Sequence, residues 1–183
     1  MNNILRNVLM RRSTMQFDGR LVRDEAMIEI LEEGKFLSNA PNNQEWHFTV
    51  VQNRGLIGRF HELYTRFVKE KGGETARVSM HLVSDVPVLV MVSGRTGEKL
   101  VEDAAHMVFG SMMLVAEKEG IASCWLSTAE ATFQTEEGQQ LLSQLHSPIG
   151  YTPLCIGAFG YKRALATSPR VLSSEDKLVT IIK

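Results

Sequence analysis

The stretch Asp103–Ser127, DAAHMVFGSMMLVAEKEGIASCWLS, sets the tightest limit on what this chain can fold into. It reads as one long helix that stops at Gly120 and passes at once into a short buried strand. Asp103 is expected to cap the start, where unpaired N–H groups and the positive end of the helix dipole favour a carboxylate. Ala104, Met107, Val108, Met112, Leu114 and Val115 spread apolar surface around most of the circumference. A helix of that kind belongs in a core or between subunits. Gly110 and Ser111 are small enough to admit a backbone, a ring or a ligand at close range. Gly120 suits the left-handed residue that ends helices, and Ile121–Leu126 is short, apolar and bounded, as a buried strand should be. The apolar run Met107–Ala116 is too short and too interrupted to span a bilayer, which takes ~20 predominantly apolar residues.

The remaining chain supplies what such a helix would pack against. Asn2 or Asn3 is expected to cap a first helix with Ile4, Leu5, Val8 and Leu9 on one face, ending at Arg11-Arg12-Ser13. A second helix from about Asp24 carries Met27, Ile28 and Leu31 inward and ends at Gly34 and a dense set of turn residues, Ser38 to Asn43. Trp46–Val51 reads as a strand. Gly55–Lys71 is an amphipathic helix built on Leu56, Ile57, Phe60, Leu63, Tyr64, Phe67 and Val68. The charged, Gly-containing run Lys69–Arg77 is the best candidate for a mobile loop. Val86–Val92 is an apolar strand entered through Pro87. Gln134–His146 is another amphipathic helix around Leu141, Leu142 and Leu145, and Pro153–Phe159 is a last core strand closed by Gly160-Tyr161. Residues 162–177 are irregular, and Leu178–Ile182 is a β-prone tail. That tail has no evident partner nearby, and arms of this kind often embrace a second subunit. Periodicity alone suggests helices and strands alternating in an α/β sheet; it decides neither strand order nor direction.

Length and charge narrow the function classes. The 183 residues fit one domain, residues 1–183, with the arm at about 162–183. Lys and Arg number 20 against 21 Asp and Glu, a balance that argues against nucleic acid and against a membrane surface. Met1–Met10 lacks the pattern of an export signal. Cys124 and Cys155 lie in apolar runs without a CxxC spacing, as expected for two reduced, buried thiols in the cytoplasm.

Singly, the candidate functional residues are weak. Arg11 and Arg12 suit a helix C-terminus, where cations meet the dipole; a guanidinium fork also matches phosphate oxygens, and Ser13 adds a hydroxyl. Asn42, Asn43 and Gln44 are turn formers whose amides can also match the edge of a heteroaromatic ring. Trp46 and Trp125 are core residues or stacking platforms. The five histidines show no i, i+4 pairing of the kind that binds a metal, and His106 reads as a core or interface group. GxSxG, HExxH, GxxxxGK and GxGxxG are all missing, so hydrolase, P-loop and Rossmann readings lose their usual support.

Order and spacing change this picture. Arg11-Arg12-Ser13 followed by Phe17 resembles the RRSxRxF opening of the nitroreductase family of flavoproteins. Ala40-Pro41, then Asn42-x-Gln44-x-Trp46-x-Phe48, resembles its APS…NxQPWxF turn and strand. Asp85-x-Pro87-Val88-Leu89-Val90 resembles its APVLIVV strand, Gly120-Ile121-Ala122-Ser123-Cys124-Trp125-Leu126 is similar to its GLGSCWI segment, and Gly157–Tyr161 looks like its closing LGY strand end.

The resemblance implies an α+β fold with a mostly antiparallel central sheet flanked by helices, in an intertwined homodimer with two FMN sites at the interface. Leu178–Ile182 would join the partner's sheet, and the helix from Asp103 would be the dimer helix. Arg11 and Ser13 would hold the FMN phosphate and ribityl chain, with Arg12 reaching toward the pyrimidine edge. Asn42, Asn43 and Gln44 would meet the flavin from the facing subunit. The backbone of Trp125, Leu126 and Ser127 would run beside the ring and offer N–H groups near N5 and O4. Arg170 would supply a second phosphate-binding cation, with Lys162 and Arg163 competing. The implied activity is ping-pong transfer from NADH or NADPH through FMN to a nitro compound or quinone, with no catalytic side chain. A specialised dehydrogenase or dehalogenase and a non-catalytic flavin binder are the alternatives. Glu45 stands where the family has Pro, and Gly110-Ser111 where many members have Gln-Asn. The short segment before Pro87 implies a more open, less selective pocket.

Overall fold

The structure, a computed structural model, describes residues 3–35, 46–71, 85–95, 97 and 99–163. The elements run α1 (Asn3–Met10), α2 (Asp24–Lys35), β1 (Trp46–Val51), α3 (Arg54–Lys71), β2 (Val88–Arg95), α4 (Lys99–Lys118), β3 (Ala122–Trp125), a 3-10 helix (Ala129–Gln134), α5 (Glu136–Gln144) and β4 (Tyr151–Gly160). The four strands form one sheet in the order β1-β2-β4-β3, and every neighbouring pair is antiparallel.

Helices cover both faces of the sheet. Side chains alternate along a strand, so Leu89 and Met91 of β2 join one core with Ile57, Phe60, Tyr64 and Val68 of α3 and Leu141 and Leu142 of α5. Val88, Val90 and Val92 join a second core with Met27 and Ile30 of α2 and Ala105, Val108, Phe109, Met112 and Ala116 of α4. A strand buried on both sides is apolar throughout, whatever its direction. That is why periodicity suggested an α/β sheet, whereas the pairing is the antiparallel α+β arrangement that the resemblance implies.

Local chemistry explains the element ends. Asn53 caps α3, its Oδ1 accepting from the Leu56 N–H at 3.1 Å, so the helix starts at Arg54. Thr135 caps α5, accepting from the Gly138 N–H at 3.1 Å and donating to the Thr132 carbonyl at 2.9 Å. The helix expected from Gln134 therefore begins at Glu136, after a 3-10 turn the sequence reading missed. Gly120 ends α4 with φ +71°, a conformation costly for any side chain. α4 starts at Lys99, so Asp103 lies inside the helix rather than at its cap. On α2 the inward stripe is Ala26, Met27 and Ile30, whereas Ile28, expected inward, is 57% exposed. The register of β2 on β4 slips between Val92 and Ser93, skipping Leu154 beside Pro153, which has no N–H to donate. Leu178–Ile182, the Ser38–Asn43 turn and residues 72–77 of the expected loop lie outside the described residues; Lys69–Lys71 are the end of α3. Among the described residues no helix is long and apolar enough to cross a membrane.

Candidate functional site

The N-terminal basic segment is tied to the sheet by backbone pairing. The Thr14 N–H donates to the Ser123 carbonyl at 3.0 Å, and Ser13 bridges Ser123 in parallel. Farther on, the Asp18 N–H donates to Tyr161 O at 3.0 Å, the Arg163 N–H to Gln16 O at 3.1 Å, and Phe17 bridges Lys162. Fully buried Phe17 anchors this run. Arg11-Arg12-Ser13 is thereby laid beside β3, one strand residue before Cys124 and two before Trp125.

The two arginines differ. Arg12 Nη1 donates to the carbonyls of Leu9 at 2.7 Å and Arg11 at 2.8 Å, closing the end of α1, as a cation at a helix C-terminus should. The Arg11 guanidinium has no hydrogen-bond or ion-pair partner among the described residues. Its charge is felt by the Cys124 thiol, which burial pushes up to about 11 against the opposing pull of Arg11. The Ser123 hydroxyl, next to Ser13, is buried without a partner. An exposed Ser13 thus lies against Ser123, whose hydroxyl is buried and unsatisfied, with Arg11 two residues before it in the chain.

The other half is the exit of β3. Trp125 pairs with Gly157, and the Leu126 N–H donates to the Ile156 carbonyl at 2.9 Å. The Tyr64 hydroxyl donates to the Ser127 carbonyl at 3.2 Å. Thr128 then turns with φ +67°, and the Ala129 N–H closes onto Leu126 O at 3.1 Å. Of the three N–H groups expected to face a ring, that of Leu126 is therefore occupied, whereas that of Ser127 has no partner among the described residues. Cys124 and Cys155 are both buried and free, and burial, with Glu130 nearby, pushes Cys155 up to about 12, so neither is a thiolate near neutral pH.

Trp125 is not a core residue, although Trp46 is: the two are 37% and 9% exposed. His106, expected in a core or interface, lies on the exposed side of α4 with its ring 5.2 Å from that of Trp125. Glu130, on the 3-10 helix that follows, is raised above the usual carboxylate range by burial, with its backbone N–H and His106 opposing. The sequence reading missed the roles of Tyr64, His106 and Glu130. Tyr64 was visible only as one apolar member of the α3 stripe; its hydroxyl, which needs a partner when buried, was the available signal.

Asn42, Asn43, Gln44 and Arg170 lie outside the described residues. Of the competing cations, Arg163 donates to Asp85 Oδ2 at 3.0 Å, and Lys162 is exposed. Among the described residues no cluster of three or more His, Cys, Asp or Glu could hold a metal.

A sequence model of the nitroreductase family matches residues 8–161. A protein of Archaeoglobus fulgidus named "Putative NADH dehydrogenase/NAD(P)H nitroreductase" is 32% identical over 65 residues, 36% of this chain and 37% of that protein. The match therefore spans little more than a third of that relative's length. Two FMN-bound nitroreductase crystal structures cover 100% of both chains: that from Bacteroides fragilis at TM-score 0.86 and 24% identity, that from Desulfitobacterium hafniense at 0.87 and 20%. Likeness at that identity establishes the fold, and the family match adds descent: the chain belongs to the nitroreductase family.

Proposed function

We propose that the protein is an FMN-dependent oxidoreductase that takes electrons from NADH or NADPH and passes them to nitro compounds, quinones or similar acceptors in a ping-pong cycle. The observation that carries this reading is the Ser13–Ser123 bridge, which sets Arg11 and Ser13 beside the Trp125–Ser127 strip. The donor set fits FMN. A guanidinium without a partner among the described residues and an exposed hydroxyl suit a phosphate, since charge-assisted forks to phosphate are among the stronger hydrogen bonds. The Ser127 N–H, without a partner among the described residues, offers a polar contact farther along the same edge. When bound, FMN supplies the two-electron exchange between donor and acceptor. Arg11 and Ser13 hold the phosphate end. Leu126, locked to Ile156, and Ser127, held by Tyr64, fix the strip that the ring lies against. The Ser127 N–H would offer a fixed donor to the negative charge that develops on reduction. Asn42, Asn43, Gln44 and Arg170 complete the site in this reading, the amides from a second copy.

Two features support a homodimer. α1 and α4 leave Val8, Leu9, Met10, Leu100 and Met107 exposed, a set of apolar side chains with no cover among the described residues. β1 stands at the edge of the described sheet, and a free edge accepts another strand, here Leu178–Ile182 of the partner. The test is nicotinamide oxidation by purified protein with and without a quinone. Flavin-dependent turnover that requires the acceptor is expected, and a yellow protein inert toward both nicotinamides would overturn the catalytic reading. Deleting residues 171–183 is expected to give monomers or aggregates, and a fully active dimer after that deletion would overturn the exchanged arm.

A further inference from the structure

The stretch between Ser13 and Phe17 is fastened at both ends and has little slack. Ser13 bridges Ser123, which stands opposite Phe159, whereas Phe17 bridges Lys162, three residues farther along the same chain direction. Three residues of extended chain cover about 10 Å and neighbouring strands lie ~4.8 Å apart, so the two anchor points are separated by roughly 11 Å or more. Four residues reach at most ~14 Å. The segment is therefore a strap drawn nearly straight past the start of β3, and a shift at one anchor is carried to the other.

The far anchor is a close fit. Phe17 is fully buried, with a backbone bond on each side of it: the Asp18 N–H on the Tyr161 carbonyl and the Arg163 N–H on the Gln16 carbonyl. Its ring meets β4 where Gly160 has no side chain. A Cβ on Gly160 would lie 2.9 Å from Phe17 Cδ1 and 2.6 and 2.8 Å from Pro87 Cγ and Cδ, closer than carbon atoms pack. Gly160 is the last residue of β4 and does not have a positive φ, so it is space and not backbone that restricts this position. Pro87 is a closed ring set directly before β2, with no rotamer to escape into, which leaves Phe17 as the neighbour that can move. The Trp125–Ser127 strip is held elsewhere, by Gly157 and by Ile156.

We infer that Gly160 is a positioning residue for the phosphate end of the flavin site. The notch it leaves seats Phe17, the seated ring fixes the strap, and the strap sets where Ser13 and Arg11 stand. A chain with the notch filled therefore loses preference for FMN over a flavin without phosphate, while the ring end of the site is spared. This rests on the flavin reading above.

The test is a competition on the full-length protein, dialysed against equal concentrations of FMN and riboflavin, with the bound flavins separated and counted. General loosening weakens both flavins, and only a displaced clamp changes their ratio. Wild type is expected to hold FMN in about 10-fold or greater excess, the share of a charge-assisted contact. Gly160→Ala is expected to lower that ratio about 3- to 10-fold, the loss of part of such a contact, and Phe17→Leu, which underfills the notch, to lower it roughly 3-fold. Leu141→Ala is the control: it opens a cavity in the same core, and is expected to lower the melting temperature without moving the ratio. If Gly160→Ala does not fold, Phe17→Leu and the control still carry the comparison. A ratio unmoved in the variants, a ratio that Leu141→Ala moves as far, or a folded variant that binds neither flavin overturns the inference. A wild type that takes both flavins equally sinks the phosphate clamp itself; a wild type that prefers FMN, beside variants that prefer it as strongly, sinks only the role of Gly160.

Discussion

The two faces of the sheet are covered in different ways. On the α3 face the cover is complete within the chain. Phe60 stacks on Tyr64 and on Phe133, with centroids 5.7 and 5.9 Å apart. α3 and α5 are also linked on the outside, by a bidentate Arg66–Glu137 pair at 2.7 and 3.1 Å and by Arg59 donating to Gln144. On the other face α4 buries one side against the sheet and leaves Leu100 and Met107 open, with Trp125 exposed nearby and α1 lying against it. Both faces carry a buried core, and the first is also tied together on its outer side. The second is finished on the inside only, and the basic segment and the Trp125–Ser127 strip lie by β3, at the opposite sheet edge from β1. If two copies enclose a cofactor, as proposed, the second face is the one left available for association.

The sharpest way to break this contrast is to damage each face and read both stability and assembly. Phe60→Ala removes a ring that is 2% exposed, and is expected to lose about 3–5 kcal/mol in chemical denaturation. A loss below roughly 1 kcal/mol, the scale of a surface change, would show that this face is not the folding core. Met107→Glu places a charge on a side chain that is 63% exposed in the single chain. The expected result is a dimer dissociation constant raised 10-fold or more by sedimentation, the effect of about 1.4 kcal/mol or more. An unchanged dimer would move the association surface elsewhere. Arg11→Ala should weaken FMN retention about 10- to 100-fold, the range for a hydrogen bond to a charged group, with little change in the melting of the cofactor-free chain. Equal FMN affinity in variant and wild type would end the clamp assignment.

The smallest effect expected concerns Glu130. Burial raises its carboxyl above the ordinary 4.5, so the folded chain holds that proton more tightly than the unfolded chain does. The stability that comes from this is fully present below the unfolded pKa and is lost as pH rises through the folded one. Glu130→Gln should therefore melt with wild type at the acid end and progressively above it as pH rises. Parallel melting curves across that window would contradict the burial argument.

What could be read from the sequence follows from where each signal originates. Trp46–Val51 is a strand with the bounds the residues suggested, because a β-branched run between turn residues is a local signal. The interior of α3 was legible for the same reason: its stripe repeats at helical spacing. Ile28 and Ile30 are equally apolar, and only which side of α2 turns toward α4 decides which is inside. Strand direction was hidden because helices cover both faces. The same holds for the site. Arg11 and Ser13 could be found as a motif, but that Arg12 turns back onto its own helix, that Leu126 gives its N–H to Ile156, and that Trp125 stays open are results of tertiary packing.

The central claim is that Arg11 and Ser13 grip a phosphate at one end of β3 while the Trp125–Ser127 strip receives the ring. Paired titrations of the cofactor-free protein with FMN and with riboflavin, followed by quenching of flavin fluorescence, test it most directly. Saturation at one FMN per chain is expected, with phosphate-free riboflavin bound about 10-fold or more weaker, the share of a charge-assisted contact. Riboflavin that binds as tightly as FMN, or no binding of either, would contradict it.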